Sequence, residues 1–548
     1  MKKNLSFTWN IDDYPINFPV ELRPIYEKTY IKNRKFYTNW NDKIGKKYKK
    51  DIDWWVSLPS FRNPYVNDLL NYTTVLDTIK LIKFDQLKIL TKSKQMSNVI
   101  NSNFSSNKIN AEFNGKNNFL EKINNFFKST LFQIIIYFYI NIFIEKFKPN
   151  SSKKIILVDA FVTSKKNQNL NFYNGLKNVK NSEILIVPTF VPTLNFVRLF
   201  RLINHLNTKE KKYMFKEHYL KISDIFYSFL HILRRKKFLK EKFKYKKINV
   251  SKIMHEKINN FNDFYSINIG ILNYKFFFRL SENKINIFKS INWFENQIID
   301  KGWNLGFRTF FEKFEKNSFG YQDFNRHYNL ISNSASPIES SSKVTPEKVI
   351  VISKLFTKIA REFFKKQKVI IGETWRFKNL LKYKCPPPNK KNKILLALCG
   401  LEEIDKILLK LVIGVCNSDK SIKIIVKAHP ILDVRKIIPN SDLPENLIVS
   451  NENLQTNLHK SFISITAGPS SVLLESVCMG VFVILPEIES GTKENAKIFK
   501  AYNKRLFMVK NTNELLNKIN YLKKNKNKLK IKKQNLINFN SKNLVDIN

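Results

Sequence analysis

SFISITAGPSSVLLESVCMGVFVILP, residues 461–486, is the stretch of the chain that decides its fold. Its apolar run at 462–466 predicts a strand, residues 470–479 predict a helix, and residues 481–485 predict a second strand. Strands that alternate with helices are typical of a parallel sheet that is covered on both faces.

The same alternation continues on both sides of this stretch, between residues 393 and 548. Further strands are predicted at 393–400, 422–427, 447–449 and 505–509, and a helix is predicted at 404–415. Asn511, with Glu514 three residues later, is a capping pattern that predicts a last amphipathic helix. We therefore expect residues 393–548 to form one doubly wound, Rossmann-like α/β domain.

A proline- and lysine-rich bridge at 383–392 marks the start of this domain, because its three consecutive prolines cannot continue a helix or a central strand. Upstream, apolar runs at 154–159 and 184–188 predict strands of a second α/β domain that spans residues 151–383. Residues 1–150 form an accessory region, in which the Asn-, Ser- and Lys-rich segment 93–118 is expected to be a linker. Two such domains leave a cleft at the carboxyl ends of both sheets, where open α/β sheets bind ligands.

The charge of the chain is strongly positive, with 95 Lys and Arg against 45 Asp and Glu and a formal net charge of +50. A nucleic-acid-binding surface requires such an excess. The lysines are spread along the whole chain beside abundant Asn, Ile and Phe, so we interpret them as a composition bias that forms solvated faces. A polyanion or a membrane surface stays an alternative partner, and no specific nucleic acid is expected.

The cysteines and the apolar segments bear on the compartment. The four cysteines stand far apart without a Cys-x-x-Cys pair, which fits a reducing compartment and predicts neither disulfides nor a zinc site. No apolar signal follows the first residues. The apolar run 131–144 is shorter than the roughly 20 residues of a spanning helix, and predicts a core helix or a segment against a membrane surface. We expect a cytoplasmic protein, or one peripheral to the inner face of the membrane.

Two motifs follow predicted strands of the C-terminal domain. Lys427-Ala428-His429-Pro430 places His429 at the rim of the sheet, where its ring N–H can bind a phosphate oxygen and Lys427 adds positive potential. The second motif contains Gly468, Ser470, Ser471 and Glu475, and offers hydroxyl groups and free backbone N–H groups at the start of a helix. Each motif also has a structural explanation, a strand end or a well-capped helix. Their position at the same edge of one sheet favours a shared phosphate site.

These residues resemble the donor half of GT-B glycosyltransferases. The His-Pro and Ser-Ser pair is similar to motifs of bacterial sialyltransferases, capsule Kdo-transferases and teichoic-acid glycerophosphotransferases, which hold the phosphate of a cytidine nucleotide there. The resemblance covers residues 393–510 and implies that Lys427, His429, Pro430, Ser470 and Ser471 bind the donor. Two motifs of such enzymes are missing: Ala467 stands where many retaining enzymes carry the first of two glutamates, and Glu402-Glu403 is followed by Ile404 instead of glycine.

Several segments of the middle domain resemble proteins assigned to surface-carbohydrate (O-antigen or capsule) biosynthesis. These segments are residues 293–304 with Arg308, residues 320–322, the turn 336–339, and the stretch 372–377 that contains Arg376. The resemblance implies the class of enzyme and not its substrate. Arg308 and Arg376 are expected to clamp an anionic group or to anchor a loop, and Gln322 is expected to line the acceptor side.

Glu295 is the predicted general base, because a carboxylate between Trp293 and Phe294 is expected to be partly desolvated. Asp300 and Asp159 are competing candidates. In the alternative interpretation, Glu295 forms an ion pair with Lys301 or Arg308 that pins the surface between the domains.

The sequence thus predicts transfer of a sugar from a nucleotide-activated donor to a glycan or lipid-linked acceptor, with inversion and without a cofactor. No metal is expected, because no Asp-x-Asp motif follows a strand. Two alternatives stay open: a sugar-nucleotide epimerase of similar fold, and a basic protein that binds polyanions or membrane surfaces.

Overall fold

The structure is a computed structural model that describes residues 6–12, 18–19, 21–104, 108–115, 119–149, 153–162, 182–191, 195–207, 213–260, 264–381, 392–430, 432, 434–437, 443–468, 470–500, 505–526 and 537. Of the bridge predicted at 383–392, residues 383–391 lie outside the described residues, as does Pro469.

The accessory region forms a small parallel sheet in the order β1-β2-β3, with helices around it. Its elements are β1 Ser6–Asn10, α1 Arg23–Gly45, α2 Ile52–Trp55, α3 Leu69–Ile79, β2 Gln86–Thr91, α4 Lys94–Asn103 and β3 Ile109–Phe113. The predicted linker at 93–118 is therefore wrong, since α4 and β3 occupy much of it. Ser93 caps α4 by accepting from the Met96 N–H, and Met96 and Ile100 are fully buried.

The middle domain contains a six-stranded parallel sheet in the order β11-β10-β9-β8-β4-β5. Helix α5 Phe119–Phe143 lies within the residues predicted as the accessory region, but it packs in the core of this domain. The other elements are β4 Lys154–Val162, β5 Ser182–Phe190, α6 Phe196–Asn207, α7 Ile222–Phe229, α8 His231–Arg234, the hairpin β6 Lys244–Tyr245 and β7 Ile248–Asn249, α9 Ser251–Ile258, α10 Phe264–Glu282, β8 Ile287–Trp293, α11 Ile298–Phe310, β9 Ser318–Gln322, α12 Pro337–Ser341, β10 Lys348–Val351, α13 Thr357–Ala360 and β11 Lys368–Ile371.

Glycine sets the closest helix contact of this domain. A Cβ on Gly302 of α11 would lie 1.8 Å from the Gly270 carbonyl oxygen of α10, so only glycine allows the two helices to meet there.

The C-terminal domain contains a second six-stranded parallel sheet in the order β14-β13-β12-β15-β16-β17. Its elements are β12 Lys393–Ala397, α14 Glu402–Ser418, β13 Ile424–Lys427, α15 Val434–Ile437, β14 Leu447–Val449, α16 Leu454–Lys460, β15 Ser461–Thr466, α17 Val472–Cys478, β16 Phe482–Pro486, α18 Thr492–Lys500, β17 Leu506–Val509 and α19 Thr512–Lys524. All six strands predicted here are present, and the Asn511 side chain accepts from the Glu514 N–H as the capping pattern predicts.

The predicted architecture of two doubly wound α/β domains is confirmed. Chain order reverses between β4 and β8 in the middle sheet and between β12 and β15 in the C-terminal sheet. These switch points are where loops at the carboxyl ends of the strands separate and leave room for a ligand. The carboxyl-end loops of the two sheets contact each other, so the switch points define the place to look for a site.

Candidate functional site

His429 follows β13 and packs against the turn after β12. Gly400 in that turn has φ +84°, and a Cβ there would lie 2.5 Å from His429 Nδ1. Asp405 holds the turn, because its carboxylate accepts hydrogen bonds from the Cys399 and Gly400 N–H groups at 2.8 Å each. Burial lowers the pKa of His429, the Asp405 charge raises it, and the nearby Arg376 guanidinium lowers it further. A neutral ring at pH 7 can still donate one N–H to a phosphate.

The two serines after β15 have different partners. Helix α17 is shorter than the predicted 470–479 and begins at Val472, with no side-chain capping bond from Ser471. Ser470 Oγ instead accepts from the Val472 N–H at 3.3 Å. Ser471 Oγ accepts from Arg376 Nη2 at 3.1 Å and lies 3.4 Å from a Glu475 oxygen. The Ser471 hydroxyl is therefore directed to charged groups and not to the backbone.

Glu475 closes this cluster from inside α17. Its carboxylate is buried, accepts from Gln455 Nε2 at 2.9 Å, and has a raised pKa because burial outweighs the Arg376 charge. Lys427 lies on the same strand end as His429, half-buried, and Pro430 is exposed. The structure thus brings Arg376, His429, Ser471 and Glu475 together.

Arg376 reaches this place from the middle domain, on the loop after β11. The buried carboxylate of Asp323 positions that loop, accepting from Thr374 Oγ1 at 2.6 Å and from the Trp375 and Arg376 N–H groups at 2.8 Å each. Asp323 is not among the residues predicted from the sequence. The signal that points to it is an acidic residue directly after the strand Gly320-Tyr321-Gln322, at the carboxyl end of a parallel sheet.

The loop after β9 enters the C-terminal domain and was also missed. Asn325 Nδ2 donates to the Ser470 carbonyl at 3.0 Å, and His327 Nε2 lies 3.1 Å from a Glu489 oxygen. A Cβ on Gly468 would lie 2.3 Å from His327 Nε2, which explains the glycine at this position. Tyr65 of the accessory region also donates to Glu489. Three parts of the chain therefore converge beside the serines.

Glu295 follows β8, the strand adjacent to β9. Its half-buried carboxylate accepts from Trp293 Nε1 at 2.8 Å and from Gln297 Nε2 at 2.7 Å. Gln322 is fully buried, and its amide donates to the carbonyls of Phe294 and Asn333 at 3.0 Å each. Gln322 therefore holds the ends of β8 and β9 together behind Glu295.

Neither ion pair that the alternative interpretation assigned to Glu295 appears in the described residues. Lys301 Nζ lies 3.2 Å from a Glu339 oxygen, and Arg308 Nη2 lies 3.2 Å from a Glu347 oxygen. Arg308 also donates to the Thr345 carbonyl at 2.9 Å. It anchors the chain before β10 and is not brought together with the Arg376 cluster.

Asp300 is a buried neighbour of Glu295, and Asp159 is a buried carboxyl whose charge acts on Asp300. Asp300 lies in the first turn of α11 and accepts from the backbone N–H groups of Gln297 at 2.9 Å and Glu295 at 3.0 Å. Burial raises the pKa of Asp300 well above its usual range, and the charges of Asp159 and Glu295 add to this. Burial also raises the pKa of Asp159 to about 6, against the opposing charge of Lys216. Asp300 therefore fixes the backbone on which Glu295 stands.

Among the described ranges, no group of three or more His, Cys, Asp and Glu side chains is arranged to hold a metal ion.

Comparison with known proteins gives similarities of low identity. The chain is 11% identical to the calicheamicin glycosyltransferase CalG4, with a TM-score of 0.36, over 68% of this chain and 90% of that one. It is 11% identical to UGT89C1 of Arabidopsis thaliana in complex with UDP (TM-score 0.40; 67% and 90% covered). It is 13% identical to a protein of Listeria monocytogenes assigned as a UDP-N-acetylglucosamine 2-epimerase (TM-score 0.40; 70% and 93%). No family model matches the chain, and no curated protein matches it in sequence.

Proposed function

We propose that the protein transfers a sugar from a nucleotide-activated donor to a glycan or lipid-linked acceptor of surface-polysaccharide biosynthesis. The observation that carries the proposal is the contact between Arg376 of the middle domain and Ser471 of the C-terminal domain, at 3.1 Å and next to His429. A guanidinium, a hydroxyl and an imidazole at the carboxyl edge of a doubly wound sheet form a set of donors suited to a phosphate.

The donor phosphate binds in this proposal between Arg376, His429 and Ser471. Cleavage of the bond between sugar and phosphate leaves negative charge on the phosphate oxygen. Hydrogen-bond donors fixed at that oxygen stabilise the developing charge more than they stabilise the bound substrate. Arg376 supplies a permanent positive charge, whereas burial lowers the pKa of His429 in the free protein. The reaction is proposed to be independent of a divalent cation for this reason.

Glu295 is the proposed general base. It takes the proton of the acceptor hydroxyl as that oxygen attacks the anomeric carbon from the face opposite the leaving phosphate, which inverts the configuration. Trp293 and Gln297 hold its two oxygens in place, and the Asp300 carboxylate holds its backbone. Asp300 and Asp159 are less suited to this role, because both are buried, at 2% and 0% exposure.

The first experiment is a thermal-shift panel of CMP, CDP, UDP, GDP and their sugars. A nucleotide at about 100 times its dissociation constant stabilises the folded protein by roughly 2.7 kcal/mol. If no nucleotide raises the melting temperature, the proposal fails. Product analysis with the stabilising donor then separates a transferase, which needs an acceptor, from an epimerase, which converts the donor alone. Turnover that persists in EDTA tests the independence from metal.

A further inference from the structure

Helix α5 has two apolar faces, and only one is packed against the protein. Phe132, Ile136 and Ile140 recur at every fourth position and are at most 4% exposed, in one core with strands β4 and β5. Leu131, Phe138 and Ile142 lie on the opposite side and are 54%, 48% and 66% exposed. The helix is thus fixed to the domain between Ser129 and Ile140, while it presents an apolar stripe outward.

Helix α6 extends this stripe into a patch. The rings of Tyr139 and Phe200 stack at 4.0 Å, and the Tyr139 hydroxyl donates to Asn204 at 3.0 Å, which joins the two helices. The apolar side chains that form the patch are all 38–67% exposed: Phe127, Leu131, Phe138, Ile142, Phe143, Phe196 and Val197. We call these seven residues the α5–α6 patch. No element of the described part of the chain covers it.

The charged residues near the patch along the chain are mostly basic. They are Lys128 of α5, Arg198 and Arg201 of α6, and Lys146 and Lys148 after α5, with Glu145 as an acidic residue among them. Lys146 Nζ lies 4.5 Å from the centre of the Tyr219 ring, and the other four basic side chains carry the charge argument. An apolar stripe bordered by Lys and Arg matches an anionic bilayer, where acyl chains receive the apolar side chains and headgroups pair with the cations.

We propose that the α5–α6 patch docks the protein onto the surface of an anionic lipid bilayer. The segment Ile123–Phe143 is long and apolar enough to cross a membrane. Its second face nevertheless belongs to the core of the middle domain, and leaving that core would expose Ile136 and Ile140. The helix therefore lies in the plane of the interface.

The patch also has a useful position. Helix α6 begins at Phe196, shortly after β5 ends at Phe190, so the patch reaches the carboxyl edge of the middle sheet. Glu295 lies at the same edge, because it follows β8, which is separated from β5 by β4 alone in this sheet. Docking here brings the carboxyl edge near the headgroups, where a lipid-linked acceptor would present its sugar.

Vesicle co-sedimentation of the full chain tests the proposal, using phosphatidylcholine vesicles with and without phosphatidylglycerol. We expect binding that increases with the phosphatidylglycerol fraction. The double variant Leu131→Gln/Ile142→Gln should lower the partition coefficient by about tenfold or more, whereas Ile448→Gln/Val449→Gln, which changes two exposed residues of β14, should leave it unchanged. Arg198→Ala/Arg201→Ala should lower binding by about fivefold per residue, with Lys420→Ala/Lys423→Ala as control.

Four results would overturn the proposal. In the first, the wild type fails to bind anionic vesicles. In the second, the patch variant binds them as the wild type does, which would assign binding to the overall charge. In the third, the protein stays in the membrane after an alkaline wash, which would show that α5 spans it. In the fourth, the wild type is a dimer that the patch variant dissociates, which would make a second copy the occupant. None of these measurements needs a nucleotide, so the docking proposal and the transferase proposal fail separately.

Discussion

The side-chain amide of Asn325 donates a hydrogen bond to the backbone carbonyl of Ser470 at 3.0 Å. Asn325 lies on the loop after β9 of the middle sheet, and Ser470 lies on the loop after β15 of the C-terminal sheet. The same amide lies 3.3 Å from the Gly468 carbonyl oxygen. One side chain therefore donates to two buried carbonyls of the loop after β15, which carries the proposed phosphate-binding serines. The shape of that loop therefore depends on the middle domain as well as on its own strand.

Asn325→Ala should loosen both loops. It removes this donor from the Ser470 and Gly468 carbonyls, which keep only the longer hydrogen bonds from the Leu473 N–H at 3.3 Å and Asn495 Nδ2 at 3.4 Å. We expect a cost of about 0.5–1.5 kcal/mol, that of one hydrogen bond. Hydrogen exchange followed by mass spectrometry should become faster in peptides that cover residues 322–334 and 467–472. Asn446→Ala is the matched control, because the Asn446 side chain bonds the Cys416 and Ile422 carbonyls inside the C-terminal domain. Equal effects of both variants on both loops would contradict the prediction.

Ser471→Ala and Ser470→Ala should have different effects. Ser471 Oγ contacts the Arg376 guanidinium, and a hydrogen bond to a charged group is worth about 1.5–3 kcal/mol. Its loss should weaken nucleotide binding by about tenfold or more in calorimetry, with little change in melting temperature. Ser470 Oγ bonds the Val472 N–H, so Ser470→Ala should mainly lower the melting temperature. The opposite pattern would show that Ser471 is only part of the helix start.

Nucleotide affinity should rise as the pH falls through the neutral range. Burial and Arg376 lower the pKa of His429 in the free protein, and a bound phosphate dianion raises it again. Binding then takes up a proton, which strengthens it by at most about tenfold per pH unit. Calorimetry in buffers of different ionisation enthalpy measures this uptake, and His429→Gln should abolish it. Protonation of the phosphate itself weakens binding as the pH falls, so it cannot imitate this effect. If the dependence of affinity on pH is the same in His429→Gln as in the wild type, the prediction is wrong.

Glu339→Gln should destabilise the accessory region. Glu339 lies 2.6 Å from Arg62 Nη2 and 3.2 Å from Lys301 Nζ, and all three side chains are buried. Removing one charge of such a cluster costs about 3–5 kcal/mol, measurable by urea unfolding. Lys406→Gln, which removes an exposed i,i+4 pair with Glu402, should cost less than about 1 kcal/mol.

The same cluster gives the wild type an acid limit. Burial raises the pKa of Glu339, but Arg62 and Lys301 outweigh it and lower the pKa to about 2, against 4.5 for an ordinary glutamate. The folded pKa is the lower one, so the stabilisation is present above about pH 4.5 and is lost as the pH falls towards 2. Unfolding curves between these values should show a loss that Glu339→Gln lacks.

The regular parts of the fold were predictable because apolar periodicity is a local signal. All six strands of the C-terminal sheet follow from it, as does the cap at Asn511. Segment 93–118 was wrongly predicted as a linker, because its polar composition hides the buried positions of Met96 and Ile100, which depend on contacts with the rest of the accessory region.

The candidate site was only partly predictable. His429, Ser470 and Ser471 stand at strand ends and are visible in the sequence. Asn325 and Asp323 act across the chain, one on a carbonyl of the other domain and one on the loop that carries Arg376. Partners of this kind are set by how the two sheets face each other, which no local pattern contains.

Glu295→Gln is the decisive variant for the mechanism. It keeps the size of the side chain but removes the proton acceptor, so turnover should fall by about 10²–10⁴-fold. The affinity for the nucleotide-sugar should stay nearly unchanged. Glu295 follows a strand of the middle sheet, whereas the groups proposed to bind the phosphate converge at Ser471. Stability should change little as well, since neither Lys301 nor Arg308 is paired with Glu295.

Single-turnover rates, calorimetric donor affinity and melting temperature on one preparation of Glu295→Gln separate the possible roles. A loss of turnover alone assigns the base to Glu295. A loss of about 3–5 kcal/mol in stability with turnover retained per folded molecule would indicate a buried ion pair that the described contacts do not contain. A stable and fully active variant would move the base to Asp300 or Asp159. Asp159→Asn then becomes the test, because the pKa of Asp159 is raised to about 6 and its acid limb in the pH–rate profile would disappear.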